Sequence, residues 1–437
     1  MSILPTAPSS RTMPGGPACA LFLLLSLLFF FARPIPAFAE EAREGTVIRA
    51  DNLDEIGKKT FEGVPIATMI PDVFKWQIRE KGLTLELAHA KPPVKDPVME
   101  KFTRDNTRRV TFDEKSRRVI GWRAGVPFPM VDSDDPHAAI KVIWNLYYGQ
   151  QHGDSQDLPN TLLLLVSGKA GIHTTELYHV IRVFLKGVLR EKGGPVRGEG
   201  DILEKLIRIA LAPQDIEGNG VYIVRHDVDR PDLVYLRLKQ RRRLKRLSGT
   251  LWNLRIPRTN LVGDDIAIFS AYPTWYRSYR LIGKKKILAI ANSRNPFWNK
   301  SAATLAGRFP GFNLAEPPFW NPVDRWEPRE VYVIEAIPPE DHPYGRKLIY
   351  VDAENWNVYL GEFYNKSNSL WKTMIQGYHV FRSERDGAEI IVWPSWSVIS
   401  DFNENHATIL IVDKDSKFNS GIDPTDINEQ TIQSYGR

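Results

Sequence analysis

The chain has 437 residues, of which 58 are Lys or Arg, 52 are Asp or Glu and one is Cys. That length is enough for one large domain or two ordinary ones. The small excess of positive charge argues against a protein that binds nucleic acid over its whole surface.

The first predicted element in the chain is a secretory signal peptide over residues 1–39. Arg11 precedes an apolar run, Ala18 to Ala32, that is too short to span a bilayer. Ala37-Phe38-Ala39 places small residues where signal peptidase cleaves. The alternative is an uncleaved membrane anchor. Cleavage would remove Cys19 and two basic residues, leaving 56 bases against 52 acids and an exported chain without a thiol, a disulfide or a zinc-thiolate site.

Helical patterns are few in the mature chain. Weak helical patterns cover Asp51 to Lys59 and Ile140 to Tyr148. Asp201 is predicted to cap a helix that ends near Leu211, before a proline. Leu177 to Leu189 fits either a helix or a strand, and its β-branched and aromatic residues favour the strand.

Short β-rich runs recur through the chain, and turn residues separate most of them. Because helices of 10 to 15 residues do not alternate with these runs, the pattern favours an antiparallel sheet. Asn292 to Pro328, rich in proline and aromatic residues, is predicted to be an ordered loop packed by its own rings. The predicted strands are Leu162 to Val166, Val221 to Val224, Leu233 to Leu238, Ile266 to Phe269, Ile287 to Ile290, Val331 to Ile337, Lys347 to Val351, Val358 to Phe363, Ile390 to Trp393 and Thr408 to Val412.

One predicted hairpin, "DLVYLRLKQRRRLKRLSG" over residues 232–249, is strongly basic. Its first arm alternates, with Val234, Leu236 and Leu238 on one face. Guanidinium and ammonium groups suit anionic lipid headgroups, an acidic partner or a ligand phosphate. The alternative is a solvated edge hairpin whose charges prevent unwanted strand pairing. The candidate headgroup or partner contacts are Arg241, Arg242, Arg243, Lys245 and Arg246.

Seven ordered motifs resemble a bacterial domain-of-unknown-function family of exported proteins related to the lipoprotein-sorting carriers LolA and LolB. The resemblance implies an α+β, mostly antiparallel fold: a LolA-like incomplete (half) β-barrel with helices covering its concave face. It also implies association with exporters of the resistance-nodulation-division type. In the basic hairpin the chain departs from the family, because Arg237 stands where a proline is common. The motifs are "GVPFPMVDSDDPHAAIKVIWN" (125–145), "APQDIEGNG" (212–220), the basic hairpin, "GDDIAIF" (263–269), "DRWEPREVYVIEA" (324–336), "YGRKLIYVDAENWNVYL" (344–360) and "LWKTMIQGY" (370–378).

A carrier of this kind needs an apolar cavity, and the chain's 12 Trp, 15 Tyr and 20 Phe can supply large apolar groups. Many of these rings fall in alternating runs around residues 271–283, 326–336 and 355–364. The alternative is that they fill an ordinary core or lie on the outer surface. The candidate cavity-lining residues are Leu236, Trp275, Tyr279, Trp326, Val333, Tyr350, Trp356 and Val358.

Catalytic and metal-binding patterns are weak. "RHDVDRPD" (225–232) contains metal-ligand types, but His226 and Asp227 are adjacent and point to opposite faces of a strand. Asp264 and Asp265 fit a turn cap as well as an acid–base pair. The sequence contains no nucleophile elbow, zincin, phosphate-loop or dinucleotide motif. We therefore predict no catalytic residue, metal or cofactor, and no nucleic-acid partner.

The predicted organisation is a signal peptide (1–39), an N-terminal segment (40–130), a LolA-like half-barrel (131–412) and a polar tail (413–437). The predicted function is a periplasmic, non-enzymatic carrier or accessory factor for a hydrophobic, lipid-like molecule. Its predicted partners are an envelope exporter or an outer-membrane component, with peripheral membrane contact. The alternative is a scaffold protein of the cell envelope that binds no ligand.

Overall fold

The computed structural model describes residues 40–198, 200–240, 244–247 and 252–435. In these ranges, long antiparallel strands dominate and the helices are short. The helices are α1 (Leu53–Ile56), α2 (Ile66–Met69), α3 (Asp72–Lys81), α4 (Pro97–Arg109), α5 (Ala138–Tyr148), α6 (Leu305–Arg308) and α7 (Glu429–Ser434), with 3-10 turns at Gly263–Asp265 and Pro273–Trp275.

The strands run from two residues to fourteen in length. They are β1 (Val47–Ile48), β2 (Thr60–Phe61), β3 (Val64–Pro65), β4 (Leu85–Leu87), β5 (Thr111–Asp113), β6 (Arg118–Ile120), β7 (Ser155–Ser167), β8 (Gly171–Phe184), β9 (Ile202–Ala212), β10 (Gly220–His226), β11 (Leu233–Arg237), β12 (Lys245–Leu247), β13 (Ser278–Ala289), β14 (Phe312–Asn313), β15 (Asn321–Pro322), β16 (Arg325–Ile337), β17 (Arg346–Asp352), β18 (Val358–Tyr364), β19 (Leu370–Arg382), β20 (Glu389–Asp401), β21 (His406–Ile411) and β22 (Lys417–Phe418).

One large sheet joins most of the described chain. Its strand order is β1-β4-β16-β17-β18-β19-β20-β21-β7-β8-β9-β10-β11-β12, while β13 pairs with β16 and β22 pairs with β7. The pairs are antiparallel except β16 with β4. The last long strand, β21, lies beside β7, and the predicted N-terminal segment contributes β1 and β4. The mostly antiparallel α+β class is thereby confirmed.

The central sheet has two apolar faces. We call the side that carries Val331 and Val333 the first face and the side that carries Tyr332 and Ile334 the second face, because successive side chains of β16 join different buried clusters. Helices α2 and α3 and the loop 292–328 pack on the first face. Helix α5 and residues 252–277 pack on the second face. Both faces are therefore covered by the chain itself.

A smaller apolar cluster lies on the other arm of the sheet. Ile207 and Ile209 of β9 pack with Tyr222 of β10 and with Ile427 and Ile432 from the C-terminal segment. Ile432, in α7, is fully buried. The described part of the polar tail is therefore docked on the sheet, through β22 on β7 and through Ile427 and Ile432 on strands β8 to β10.

Two secondary-structure predictions are wrong. The helix predicted after Asp201 is strand β9, since pairing with β8 and β10 satisfies its backbone on both sides. The strand predicted at Ile266 to Phe269 is an irregular turn in which Ala267 and Ile268 have φ of 52° and 71°. A β-branched residue adopts that conformation only under strain.

Other predictions agree with the structure. Helix α5 covers the predicted Ile140 to Tyr148, and most of Leu177 to Leu189 is strand β8, as its β-branched residues favour. The segment 292–328 is ordered as predicted, but it contains α6, β14, β15 and the start of β16, and its Phe309, Phe312 and Trp320 are buried in the first-face cluster. The signal-peptide prediction concerns residues outside the described part of the chain.

Candidate functional site

A cavity of about 160 Å³ opens between the start of α4, residues 126–129 and the turn 353–356. Three of its apolar lining residues, Met99, Val126 and Trp356, belong to the buried cluster of the second face. The cavity floor therefore continues into that covered apolar face. The lining residues are Pro93, Val94, Lys95, Asp96, Met99, Glu100, Thr103, Val126, Pro129, Gly149, Gln151, Ala353, Glu354, Asn355 and Trp356.

Polar contacts fix the α4 wall of this cavity. Asp96 caps α4 by accepting the Val98 N–H at 2.8 Å, and Pro97 follows at the first helical position. The Asp96 carboxylate is paired with the Arg190 guanidinium, and the Gln151 side chain accepts the Asp96 N–H at 2.7 Å. Since Asp96 is buried and the Arg190 side chain is only 9% exposed, this wall is held by charge-assisted bonds that are largely shielded from water.

Asp352 builds the opposite wall. Its carboxylate accepts the N–H groups of Glu354 (2.8 Å) and Asn355 (3.0 Å) and the Arg329 guanidinium (2.8 Å). The resulting turn puts Trp356 at φ 62° and stacks its ring on Tyr332, with an interplanar angle of 6°. The Trp356 ring is thereby held at the cavity floor.

The rim of the cavity is charged. Lys95 and Glu100 are exposed, while Glu354 is paired with Arg329 at 3.0 Å. An apolar floor with a polar rim suits a ligand that has one apolar end and one polar end.

A buried ion network anchors residues 252–277 to the second face. The Lys347 ammonium lies 3.0 Å from the carboxylates of both Asp264 and Asp265 and donates to the Ile268 carbonyl at 3.2 Å. These three charged side chains have no exposed surface. Asp265 also accepts the Val262 N–H at 2.7 Å, so the predicted turn cap is present.

Two hydrogen bonds also stabilise the Asp264 carboxylate. The Tyr276 hydroxyl donates to it at 2.6 Å, and His342 Nε2 donates at 3.3 Å because His342 Nδ1 accepts the Tyr344 N–H. Burial opposes ionisation of Asp264, but the Lys347 ammonium and these donors lower its pKa to about 2.

A second buried lysine ties the same segment to β19. Lys372 Nζ donates to the Asn260 carbonyl at 2.7 Å and to the Tyr344 hydroxyl at 3.2 Å, and it lies 3.9 Å from Asp401. Burial lowers the Lys372 pKa, although Asp265 and Asp401 oppose that shift. The segment over the second face is therefore held by polar contacts as well as by apolar packing.

The predicted cavity-lining residues are divided between the two faces. Trp326, Val333 and Tyr350 belong to the first-face cluster, whereas Trp356 and Val358 belong to the second-face cluster, against which Trp275 and Tyr279 pack. Leu236 is half-buried on β11, in the other arm of the sheet. Of the eight, Trp356 lines the cavity described above. The set does not surround a single space.

The two described strands of the basic hairpin pair as predicted, with β11 antiparallel to β12 and Leu236 opposite Lys245. Lys245 and Arg246 are exposed on β12. Arg241, Arg242 and Arg243 lie outside the described residues. Of the five candidate contacts, Lys245 and Arg246 are thus the two that the structure describes, and both are exposed.

Charged side chains of the stretch 225–232 form ion pairs. Asp227 accepts the Lys186 ammonium at 3.0 Å, Asp232 pairs with Arg225 at 3.0 Å, and His226 lies beside Asp201. In the described ranges, no group of three or more His, Cys, Asp or Glu side chains is arranged to hold a metal ion.

The sequence patterns did not identify the two buried lysines, Lys347 and Lys372, or Arg190. One signal was available: Lys347 shares a strand face with Ile349 and Val351, and a lysine on an apolar strand face requires a buried partner. The sequence did not identify its partners, because Asp264 and Asp265 lie about eighty residues earlier in the chain.

The fold and the site define a mostly antiparallel α+β protein with a covered apolar sheet face. The chain belongs to the family described as "Protein of unknown function (DUF1329)", whose model matches residues 47–433. The resemblance to a family of unknown function seen in the sequence is thereby confirmed. A comparison with curated proteins found no match.

Several solved structures are similar to the chain, all with low sequence identity. A domain named as a candidate outer membrane lipoprotein-sorting protein from Vibrio parahaemolyticus is 16% identical, with a TM-score of 0.43 over 65% of this chain and 94% of that one. A DUF1329 family protein from Desulfovibrio piger is 13% identical, with a TM-score of 0.42 over 64% and 92%. A LolA superfamily protein from Nitrosomonas europaea is 14% identical, with a TM-score of 0.35 over 64% and 91%.

Within the described residues, no helix combines the length and apolar character needed to cross a bilayer.

Proposed function

We propose that this protein is an exported, non-enzymatic carrier that binds one hydrophobic, lipid-like molecule at the second face of its sheet. The observation that carries this proposal is the cavity of about 160 Å³ whose floor continues into the buried second-face cluster. The apolar end of the ligand enters over Met99, Val126 and Trp356. Its polar end stays at the rim beside Lys95 and Glu100.

The cavity volume sets how much of a ligand fits without rearrangement. A volume near 150 Å³ accommodates a single benzene ring, whereas small-molecule pockets begin at roughly 300 Å³. A whole acyl chain therefore requires α5 to move from the second face, because residues 252–277 are anchored there by the Lys347 and Lys372 contacts. Helix α5 covers the sheet without joining its strand ladder, so its movement leaves the strand hydrogen bonds intact.

For this carrier we also propose a specific architecture and compartment. The sheet bends into a LolA-like half-barrel formed mainly by residues 131–412, with the second face as its concave side. Residues 40–130 lead into it and 413–437 follow it. The chain works in the periplasm after its signal peptide is removed, at or near the outer membrane.

A transfer partner receives or delivers the ligand. The basic hairpin is the candidate contact for an anionic headgroup, an outer-membrane component or an exporter of the resistance-nodulation-division type. The exposure of Lys245 and Arg246 supports this assignment. Exposed charges of this kind mainly accelerate association, and salt weakens their effect.

Binding of a fluorescent fatty acid to wild type and to Met99→Trp tests the cavity. A tryptophan at position 99 fills space that the acyl chain needs. Since each buried methylene contributes about 0.8 kcal/mol, loss of two or more weakens binding by at least about tenfold. The matched control is Met130→Trp, because Met130 is 85% exposed and lies outside the cavity lining. Equal affinity in Met99→Trp and wild type would refute binding at this cavity.

The second candidate is an envelope scaffold protein that carries no ligand. It is favoured by the packing of seven of the eight predicted lining residues in or against buried clusters of the two faces. A partner recovered from envelope extracts by wild type and lost by Lys245→Glu/Arg246→Glu, together with no fatty-acid binding by wild type, would support it over the carrier.

A further inference from the structure

Two histidines from distant parts of the chain meet at one end of the sheet. His173 lies on β8 and His406 on β21, the two strands that flank β7. Their Nε2 atoms are 2.6 Å apart. His173 is exposed, and His406 is half-buried. The pair is separate from the cavity and takes no part in the proposed carrier function.

A chain of hydrogen bonds fixes the orientation of His406. Arg255 donates to both carboxylate oxygens of Glu404, at 2.8 and 2.7 Å. Because a carboxylate only accepts, the Asn260 amide group turns its N–H towards Glu404 and its Oδ1 towards His406. His406 Nδ1 then donates to Asn260 Oδ1 at 2.6 Å. The lone pair of His406 is thereby placed on Nε2, facing His173.

The Thr174 hydroxyl can form a hydrogen bond with Nδ1 of His173 in either tautomer of the ring. The Nδ1 atom lies 3.0 Å from this hydroxyl, which both donates and accepts. In the metal-free protein the 2.6 Å contact is a hydrogen bond in which His173 Nε2–H donates to His406 Nε2, and Nδ1 of His173 accepts from the Thr174 hydroxyl. In the other tautomer, Nδ1–H donates to that hydroxyl and Nε2 of His173 presents a lone pair to a metal ion. Metal-binding histidines in proteins have this arrangement, in which the second ring nitrogen donates to a neighbouring oxygen.

We propose that His173 and His406 form an open, exchangeable site for a borderline divalent transition metal such as Zn²⁺, Ni²⁺ or Cu²⁺. Neutral imidazole is a preferred ligand of these ions. Two nitrogens on one tetrahedral zinc are about 3.3 Å apart, given Zn–N bonds of roughly 2.0–2.1 Å. A small rotation of the exposed His173 ring provides that separation. In the described part of the chain no third His, Cys, Asp or Glu joins the pair, so water fills the other positions.

Calorimetric titration of the untagged full chain with Ni²⁺ and Zn²⁺ tests the site. We expect one ion per chain, and a loss of affinity of at least about tenfold in both His173→Ala and His406→Ala. His89→Ala is the matched control, because His89 is also exposed but its neighbour is Glu62. This variant keeps wild-type affinity. Circular dichroism melting of each variant without metal verifies that the fold is intact.

A spectroscopic readout separates ligation from loss of folding. Electron paramagnetic resonance of the Cu²⁺-loaded protein should report two nitrogen donors in wild type and one in His173→Gln, a variant at an exposed position. No ion bound by wild type, or affinity unchanged in either alanine variant, overturns the proposal.

Discussion

At the scale of single residues, the cover over the second face depends on buried charges. The Lys347 ammonium contacts two carboxylates and two backbone carbonyls, and the side chain has no exposed surface. Taking such groups out of water costs several kcal/mol for each ion, and their mutual attraction offsets this only when every partner is present. Removing one partner leaves an uncompensated charge in the core.

Lys347→Met tests this dependence. The substitution leaves Asp264 and Asp265 buried without their cation, so we expect a loss of about 3–5 kcal/mol in the free energy of unfolding. Urea unfolding followed by tryptophan fluorescence measures it. Lys286→Met, at an exposed lysine of β13, is the control and should change stability by less than about 0.5 kcal/mol. Equal losses in the two variants would show that Lys347 has no special role.

Asp264 gives the same network a pH dependence. Its pKa in the folded state, about 2, is below the ordinary value of 3.8, so its stabilising effect is present above 3.8 and is lost as the pH falls towards about 2. Asp264→Asn should therefore be less stable than wild type at neutral pH, and the difference should shrink across that acidic window. Unfolding free energies measured over a pH series would contradict this if the difference stayed constant.

Sequence patterns identified part of this network. The sequence left two roles open for Asp264 and Asp265, a turn cap and an acid–base pair, and Asp265 is seen to cap the turn by accepting the Val262 N–H. The ion pairs with Lys347 were not predicted. They depend on bringing residue 347 next to residue 264, and only the sheet topology does that.

At the scale of elements, pairing with neighbouring strands explains why the helix predicted after Asp201 is wrong. Residues 202–211 have apolar positions that fit a helix, but strands β8 and β10 pair with them on both sides and place Ile207 and Ile209 on one face. Local periodicity does not report such pairing. Helix α5 was predicted correctly, because its residues have a helical pattern and no strand of the described chain pairs with them.

The short helix α7 has more influence on stability than its six residues suggest. Ile432 is fully buried against β9 and β10, so Ile432→Ala should cost about 2–5 kcal/mol. Gln430→Ala, on the exposed side of the same helix, should have little effect. Thermal unfolding compares the two variants, and faster proteolysis at the C-terminal segment of Ile432→Ala alone would locate the damage. Similar stability in both variants would mean that α7 is not docked.

At the scale of the whole molecule, one sheet combines strands from both ends of the chain. The sequence predicted this class correctly, because alternating runs separated by turns recur over most of its length. It did not predict which helices and loops cover each face of the sheet. Alternating side chains show only that a strand has two faces. Because both faces of this sheet are apolar, the predicted cavity-lining residues lie on both of them.

The carrier function requires that a hydrophobic molecule replaces part of the cover over the second face. The most direct measurement is mass spectrometry of lipids extracted from the protein after purification from its native envelope without detergent. The carrier account predicts a recurrent lipid-like molecule at close to one per chain, reduced in Met99→Trp and retained in Met130→Trp. Repeated recovery of an empty protein that also takes up no fluorescent fatty acid would contradict it.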